Sequence, residues 1–506
     1  MSRIASFFRL GDRSALATRI LWAALLLTIP VTSSPLITRF IGRTQVSPLL
    51  GIPLLFLLLL WFLPDLLRVG RLPRLALPLL AFVAVALIAC LASFFLEIPP
   101  FRGQTTGGQT IRGLLTLLVG VAIYLTVAEF PDSEESLRRG LRWLYAGAAL
   151  MLIWSSVQGV FVIQRAPFPD VMQEIQGWIS IRKLIRYRVV GFAYEPSWLA
   201  NQLAILYIPL WAASVARGFS VFARGRRFLS VELGLLAWGL AIHFLTLSRV
   251  GLISLFASLG ALVLGVAWRL VGRFSAWLGA RLSWGEGRRE RQRDALRLGI
   301  LFGLGLLLVG LMFLVVFLAS WLDPRIAQIF NTNYFELIRT STDPFMSLAN
   351  RLRYAERVVY WMAAYRTFSL YPWLGVGLGN VGFFFERTVH SLGYHLPEII
   401  DIINGAAAMP NAKNLWIRLL AETGIGGFLT FVLWLIMVGF AAWRLHSKAM
   451  SVVGMLGLAG VLALVAQLVE GFSVDSFALP QLWVLPALVT AGLSISARGG
   501  LMGESR

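Results

Sequence analysis

The sequence predicts an all-α, polytopic membrane protein with about twelve transmembrane helices and one large external loop, on three observations. Of 506 residues, 58 % are hydrophobic and only 14 % are charged, against roughly 25 % charged in an average soluble domain. The apolar residues gather into runs at 20–37, 47–64, 75–96, 112–130, 141–163, 189–216, 229–247, 250–271, 298–322, 415–443, 451–471 and 477–496. A helix needs about 20 such residues to cross the hydrocarbon of a bilayer. All connections between the runs are short except 323–414. These features exclude a soluble enzyme, a disordered chain and a disulfide-stapled secreted scaffold.

The first run resembles a secretory h-region, with Val31, Thr32, Ser33 and Ser34 in the place of a cleavage site; eleven further runs favour an uncleaved first span. The lone Cys90 sits inside the third run, so it carries no information on redox compartment. A net charge of +20 would suggest nucleic acid in a soluble chain. Here almost no soluble surface exists to bind it, and excess arginine reads instead as topology and attraction to anionic headgroups. Arg3, Arg9, Arg13 and Arg19 precede the first span, and Arg288, Arg289, Arg291 and Arg293 cluster between the eighth and ninth. Short basic clusters of this kind mark the cytoplasmic side, so both termini are expected there and 323–414 is expected outside. The expected organisation is spans one to nine in 1–322, a loop domain in 323–414, and spans ten to twelve in 415–506. Tyr334, Phe335, Trp361, Trp373, Phe383, Phe384 and Phe385 give that loop too much apolar surface to remain unfolded. Within it, Leu352, Ala355, Val359, Met362 and Ala363 recur at helical spacing, predicting an amphipathic helix over 351–369 with Arg353 and Arg357 on another face.

Four stretches carry chemistry. In the first, Arg188, Gly191, Glu195, Pro196, Ser197 and Asn201 open the sixth span. Pro196 favours a first helical turn, so Glu195 should stand at the external mouth. An ionisable residue there is either functional or a cap of its own helix; Arg182, Lys183, Arg186 and Arg188 make the neighbourhood attractive to anions. The second is Ser248, Arg249 and Gly251 in the tight turn between spans seven and eight, where Arg249 either reaches a phosphate or snorkels to headgroups. The third joins Arg353, Arg357 and Trp361 to the glycine-rich 371–380. Gly375, Gly377 and Gly379 lack the spacing and context of a dinucleotide loop and are better suited to letting backbone pass close to helices or a ligand. The fourth runs from Met409 through Lys413 and Asn414 to Gly427, where Arg418 and Glu422 stand four residues apart and can pair within the bilayer. No metal-ligating pattern and no cofactor motif occurs. With the expected topology, Arg188, Glu195, Arg249, Arg353, Arg357 and Lys413 collect on one face, as suits a lipid-linked phosphate or pyrophosphate.

Taken in order, these landmarks resemble those of the O-antigen ligase and surface-polysaccharide polymerase family, over roughly 185–430. The resemblance implies a GT-C-like, metal-independent, inverting glycosyltransferase of the bacterial inner membrane whose donor is an undecaprenyl-pyrophosphate-linked glycan. By that analogy Arg188, Arg249 and Arg357, with Arg353 one turn away, bind the pyrophosphate; Glu195 and Lys413 are the catalytic candidates; His395, Asn414 and Trp361 are candidate glycan contacts. Ligases of the family carry a histidine before the asparagine that corresponds to Asn414, and this chain has Lys413, normally protonated and a poor base. Glu195, Pro196 and Ser197 are more typical of polymerases. The expectation is therefore a polymerase of lipid-linked repeat units, with membrane lipid, a chain-length regulator and a flippase as further partners and no cofactor. A ligase with the same donor is the nearest alternative. A twelve-helix transporter or flippase is the alternative of another class, although the two halves look unlike each other and the charges do not sit at the midplane.

Overall fold

The computed structural model describes residues 12–42, 44–70, 72–222, 230–281, 286–405, 409–447 and 451–503. Arg3 and Arg9, from which the orientation argument begins, lie outside the described residues. Five long helices come first: α1 (Asp12–Thr28), α2 (Gly51–Arg68), α3 (Ala76–Ser93), α4 (Thr106–Glu129) and α5 (Glu134–Ile163). A short surface helix, α6 (Asp170–Ile179), precedes α7 (Pro196–Arg217), α8 (Val231–Leu245), α9 (Arg249–Arg281) and α10 (Glu286–Leu322). The long segment holds α11 (Pro324–Phe330), α12 (Tyr334–Thr340), α13 (Pro344–Arg351), α14 (Ala355–Leu370) and α15 (Pro397–Asn404). The chain closes with α16 (Leu415–His446), α17 (Val452–Glu470) and α18 (Gln481–Gly503).

Among the described residues the fold is helical, with two isolated β-bridges and no strand. Among the described residues, nine helices, α2 to α5, α7, α9, α10, α16 and α17, are long and apolar enough to cross a membrane. This is a multi-pass membrane protein. The other three expected spans are occupied by the shorter α1 and α8 and by α18.

Local chemistry explains where helices stop and bend. The run expected at 20–37 is cut at Thr28, because Pro30 has no N–H to continue the ladder; a separate seven-residue helix, Pro35–Ile41, begins after Ser34, whose hydroxyl accepts from Leu36 N. Wide π turns at Leu58–Phe62 and Leu203–Tyr207 precede Pro64 and Pro209, each of which leaves an upstream carbonyl without its helical donor. Burial then orders the bundle. The apolar window of α7 is 89 % buried and that of α10 not at all, so α7 lies in the centre while α10 turns Phe302, Leu307, Phe313 and Trp321 outward. α17 packs against α7, α9, α16 and α18. The buried Trp211, Tyr124, Phe431, Trp434, Phe477 and Trp483 share one continuous core.

Residues 323–414 fold around a second apolar cluster that includes Val359, Phe383, Phe384 and Ile399, with Phe101 contributed by the α3–α4 connection. The helix expected over 351–369 is not continuous. α13 ends at Arg351, Leu352 to Tyr354 form a turn, and α14 starts at Ala355. Arg353 lies at φ +52°, which an α-helix does not allow. It therefore does not share a helical face with Arg357. Ala355, Val359 and Ala363 are buried as the periodicity expects.

Candidate functional site

The 180–195 segment is held by buried groups rather than by secondary structure. Gln158 of α5 accepts the backbone N–H groups of Val190 (2.8 Å) and Gly191 (2.9 Å). Thr32 accepts that of Tyr194 (3.1 Å), and Val189 N donates to Leu245 O (3.1 Å). This delivers Glu195 as the extended residue before α7, with its carbonyl accepting from Trp198 N at 3.0 Å. The carboxylate does not cap the helix. Its Oε2 instead accepts from Arg182 Nη1 at 2.9 Å, and the two side chains are 32 % and 38 % exposed. The Arg182 guanidinium also stands 4.9 Å from the Tyr194 ring centre.

Arg188 points into the turn between α8 and α9. Its Nε donates to Thr246 O at 2.9 Å and its Nη2 to Leu247 O at 3.4 Å, carbonyls at the negative end of α8. Leu247 itself lies at φ +50°, an unfavourable region for a branched side chain. Burial pushes the Arg188 pKa down to about 9, helped by the neighbouring Arg325 and Arg249 and partly offset by Asp323 and Glu195.

Arg249, at the start of α9, reaches across to the loop domain. Its Nη1 donates to Leu352 O at 2.5 Å and its Nη2 to Arg353 O at 3.2 Å, with the Tyr354 ring centre 4.3 Å away. These bonds account for the broken helix, since they take carbonyls that a continuous ladder would use. Arg353 extends its own side chain to the exterior. Beside this pair, the buried Asp323 holds Arg325 through both carboxylate oxygens, at 2.5–3.1 Å. Burial raises the Asp323 carboxyl, but the Arg325 guanidinium more than offsets it and holds it below the usual range.

A second group of charges adjoins the first. Arg357 of α14 donates through Nη1 to Ser473 O (3.2 Å) and Oγ (3.4 Å), and its field reaches Arg249. Lys413 pairs through Nζ with Glu398 Oε1, lies 4.1 Å from the Tyr360 ring centre, and donates its backbone N–H to Asp475 Oδ2 at 2.9 Å. Tyr360 also donates to Glu398 Oε1 at 2.9 Å. Burial raises the Glu398 carboxyl, but the Lys413 ammonium and the Tyr360 hydroxyl outweigh it and leave it below the usual range. Trp361 Nε1 donates to Lys413 O at 3.4 Å, and its ring meets Phe472 edge-on at 6.0 Å.

The remaining candidates separate by exposure. Asn414 is fully buried, and its Oδ1 caps α16 by accepting from Trp416 N (2.9 Å) and Ile417 N (3.1 Å). His395 is exposed in the turn before Pro397. Arg418 and Glu422 are paired at 2.8 Å within α16, and Arg418 Nη1 donates to Asp475 O at 2.6 Å. The structure thus brings Arg188, Glu195, Arg249, Arg353, Arg357, Trp361 and Lys413 to the end of the bundle that carries the loop domain. Tyr187, Leu247, Arg353 and Lys413 are four of the six non-glycine residues at positive φ among those described, and such strain concentrates at functional sites.

Sequence reasoning missed Asp323, Arg325, Glu398, Glu470 and Asp475. Glu470 was findable, since it ends an apolar run as Glu195 begins one and the same argument about ionisable residues at the bilayer applies. Asp323 precedes Pro324 at a helix start, a capping signature. Glu398 and Asp475 carry no comparable local signal.

The glycines of 371–380 serve packing. Val376 N and Gly377 N donate to Ala421 O and Glu422 O, each at 2.9 Å, and Ile425 N donates to Pro372 O at 2.8 Å. α16 is kinked at Gly424 (φ +64°, ψ −171°), and these bonds satisfy the backbone groups that the kink frees inside the bilayer. A Cβ on Gly375 would stand 2.5 Å from Glu422 C and 2.6 Å from Ala421 O, so no side chain fits. Asn380 fastens the loop by donating to Val376 O and Thr110 Oγ1, both at 3.0 Å.

Among the described residues, no three His, Cys, Asp or Glu side chains stand together as metal ligands. Compared with known proteins, the chain matches no protein-family profile and no curated relative.

Proposed function

We propose that the protein is a polymerase that joins undecaprenyl-pyrophosphate-linked oligosaccharide repeat units of an O-antigen or exopolysaccharide at the periplasmic face of a bacterial inner membrane. The observation that carries this reading is the junction of Arg188, the 246–249 turn, Arg249 and the 352–354 turn, where guanidinium groups from distant stretches meet around one turn, with Arg325 near enough to influence both. A pyrophosphate is the ligand whose charge and fork geometry suit such a set. In the reaction, a sugar hydroxyl of one lipid-linked unit attacks the anomeric carbon of another. The bond from that carbon to the pyrophosphate oxygen breaks, and the arginines stabilise the departing undecaprenyl pyrophosphate. The hydroxyl proton passes to Glu195, whose Oε1 is left available by the Arg182 pair on Oε2. A single displacement inverts the anomeric centre.

A ligase would use the same donor, with lipid A core as acceptor. Its usual base position holds Lys413, whose ammonium is engaged by Glu398 and the Tyr360 ring, which favours the polymerase. A transporter or flippase draws support from the broken α16, yet the charges gather at one end of the bundle.

The test uses the purified chain in lipid nanodiscs with a synthetic undecaprenyl-pyrophosphate repeat unit. A ladder of lipid-linked polymer is the expected product. Transfer only onto an added lipid A core acceptor would assign a ligase. Movement of the lipid across a vesicle bilayer with no new glycosidic bond would assign a transporter.

A further inference from the structure

The first helix of the loop domain, α11, folds back along the end of α10 instead of rising away from it. Asp323 alone separates the two helices, and its carboxylate accepts from Arg325 N at 2.8 Å to cap the new one. Ile326 then shares a buried cluster with Ala319 of α10 and Leu247 of the α8–α9 turn. At the far end of α11, the Phe330 ring meets Phe317 of α10 edge-on at 5.5 Å.

Phe317 fixes the depth of that contact. Arg297 is the last charge before the apolar run of α10, which continues without another to Leu322. Hydrocarbon is crossed in about 20 helical residues, a length that, counted from Arg297, ends at Phe317. The apolar window of α10 is not buried at all, so this helix faces lipid as it approaches that boundary. Phe330 therefore stands where hydrocarbon gives way to headgroups, although the sequence places 323–414 outside as a loop domain.

α12 follows three residues later and buries none of its own seven. A helix so short does not hold itself in water. Its pattern is two-sided nonetheless. Tyr334, Leu337 and Ile338 share one face with Phe335 at its border, while Glu336, Arg339 and Thr340 take the other. Phe335 is 78 % exposed and Ile338 57 %, and Phe345 at the head of α13 is 64 % exposed. With Trp321 and Phe330, also exposed, they extend the lipid-facing surface of α10. Aromatic side chains gather at headgroup level, and a helix with one apolar and one charged face lies in the plane of the interface.

We propose that α11, α12 and the head of α13 form a shelf seated in the headgroup interface of the leaflet on the loop-domain side, with the lipid surface as the partner of Phe330, Phe335, Ile338 and Phe345. Leu247, against which α11 packs, gives its carbonyl to Arg188 and directly precedes Ser248 and Arg249. The shelf thus sets the Arg188–Arg249 junction at headgroup depth, where a lipid phosphate reaches it without leaving the bilayer. The seating of the shelf holds whether or not the chain transfers glycans.

The experiment places a nitroxide at single cysteines, Phe335→Cys, Ile338→Cys, Phe345→Cys, Glu336→Cys and Thr340→Cys, in the purified full chain. Nanodiscs of phosphatidylethanolamine and phosphatidylglycerol carry each variant, and size-exclusion chromatography verifies its fold. The only native cysteine, Cys90, is buried; it is replaced by alanine, and kept where the replacement fails to fold. Labels at 335, 338 and 345 are expected to collide with oxygen more than with a water-soluble nickel complex, reading a depth of about 5–10 Å into the headgroup–acyl boundary. Labels at 336 and 340 should show the reverse order.

Dominance of the nickel complex at 335, 338 and 345 would put the shelf in water and overturn the proposal. Low access to both reagents at these positions would mean that protein, the loop domain or a second copy of the chain, covers the face, and would overturn it as well.

Discussion

Replacing Glu195 with glutamine separates structure from chemistry, because the two predicted magnitudes lie far apart. The carboxylate makes no capping bond to α7, so no cap is lost. Its one described ion pair, to Arg182, joins side chains that are each about a third exposed, and such pairs contribute at most about 1 kcal/mol. Glutamine keeps an oxygen that accepts from Arg182, so Glu195→Gln should fold, reach the membrane and bind the lipid-linked donor. An amide cannot take the acceptor proton, and loss of a positioned general base costs about 10²- to 10⁴-fold. The assay is polymerisation of a lipid-linked repeat unit by purified protein, normalised to the folded fraction on size-exclusion chromatography. Polymer formation within about fivefold of wild type, well short of the loss of a base, would refute the reasoning and return Glu195 to a structural role.

Arg188→Lys and Arg249→Lys should each reduce polymer yield by about tenfold or more at equal protein level, since one ammonium cannot reproduce a fork that engages two carbonyls and an anion; full activity of both in a complementation assay would remove them from the pyrophosphate site. Gly424→Ala should lose about 2 kcal/mol or more of stability, from a disfavoured φ and a Cβ that would stand 2.6 Å from Leu374 N, read as a lower unfolding temperature. The Asp323 and Glu398 carboxyls are both held below their usual range. Their pairs therefore stabilise the fold above the unfolded carboxyl pKa, about 4, and that contribution is lost as pH falls through the lowered values. Thermal melts between about pH 7 and pH 5 should show no loss from these pairs, with the decline beginning below about pH 4, and Glu398→Gln should make the acid decline shallower.

Several local features were legible residue by residue. Pro196 after Glu195 places the start of α7, because a proline ring suits the first turn and disfavours helix in the residue before it. Arg418 and Glu422 pair as their four-residue spacing allows. The break at 352–354 was not legible, since the apolar periodicity runs straight through it. It arises because Arg249, about a hundred residues earlier, takes the Leu352 and Arg353 carbonyls. Pro30 ends the first helix at Thr28 although the apolar run continues past it, so hydropathy alone places that helix end too late.

What the sequence by itself determined is the class of molecule, a helical multi-pass membrane protein, and the apolar runs that form its long helices. Hydrocarbon-length apolar runs have to satisfy their backbone hydrogen bonds internally, and the helix is the local solution. What only the tertiary structure decided is which polar groups meet at the mouth. Arg357 finds Ser473, Lys413 finds Glu398 and Asp475, and Glu470 finds Asn201 and Ser254. No local periodicity encodes those encounters: they depend on how α7, α9, α16 and α17 pack, and on a kink at Gly424 that makes room for the 371–380 loop.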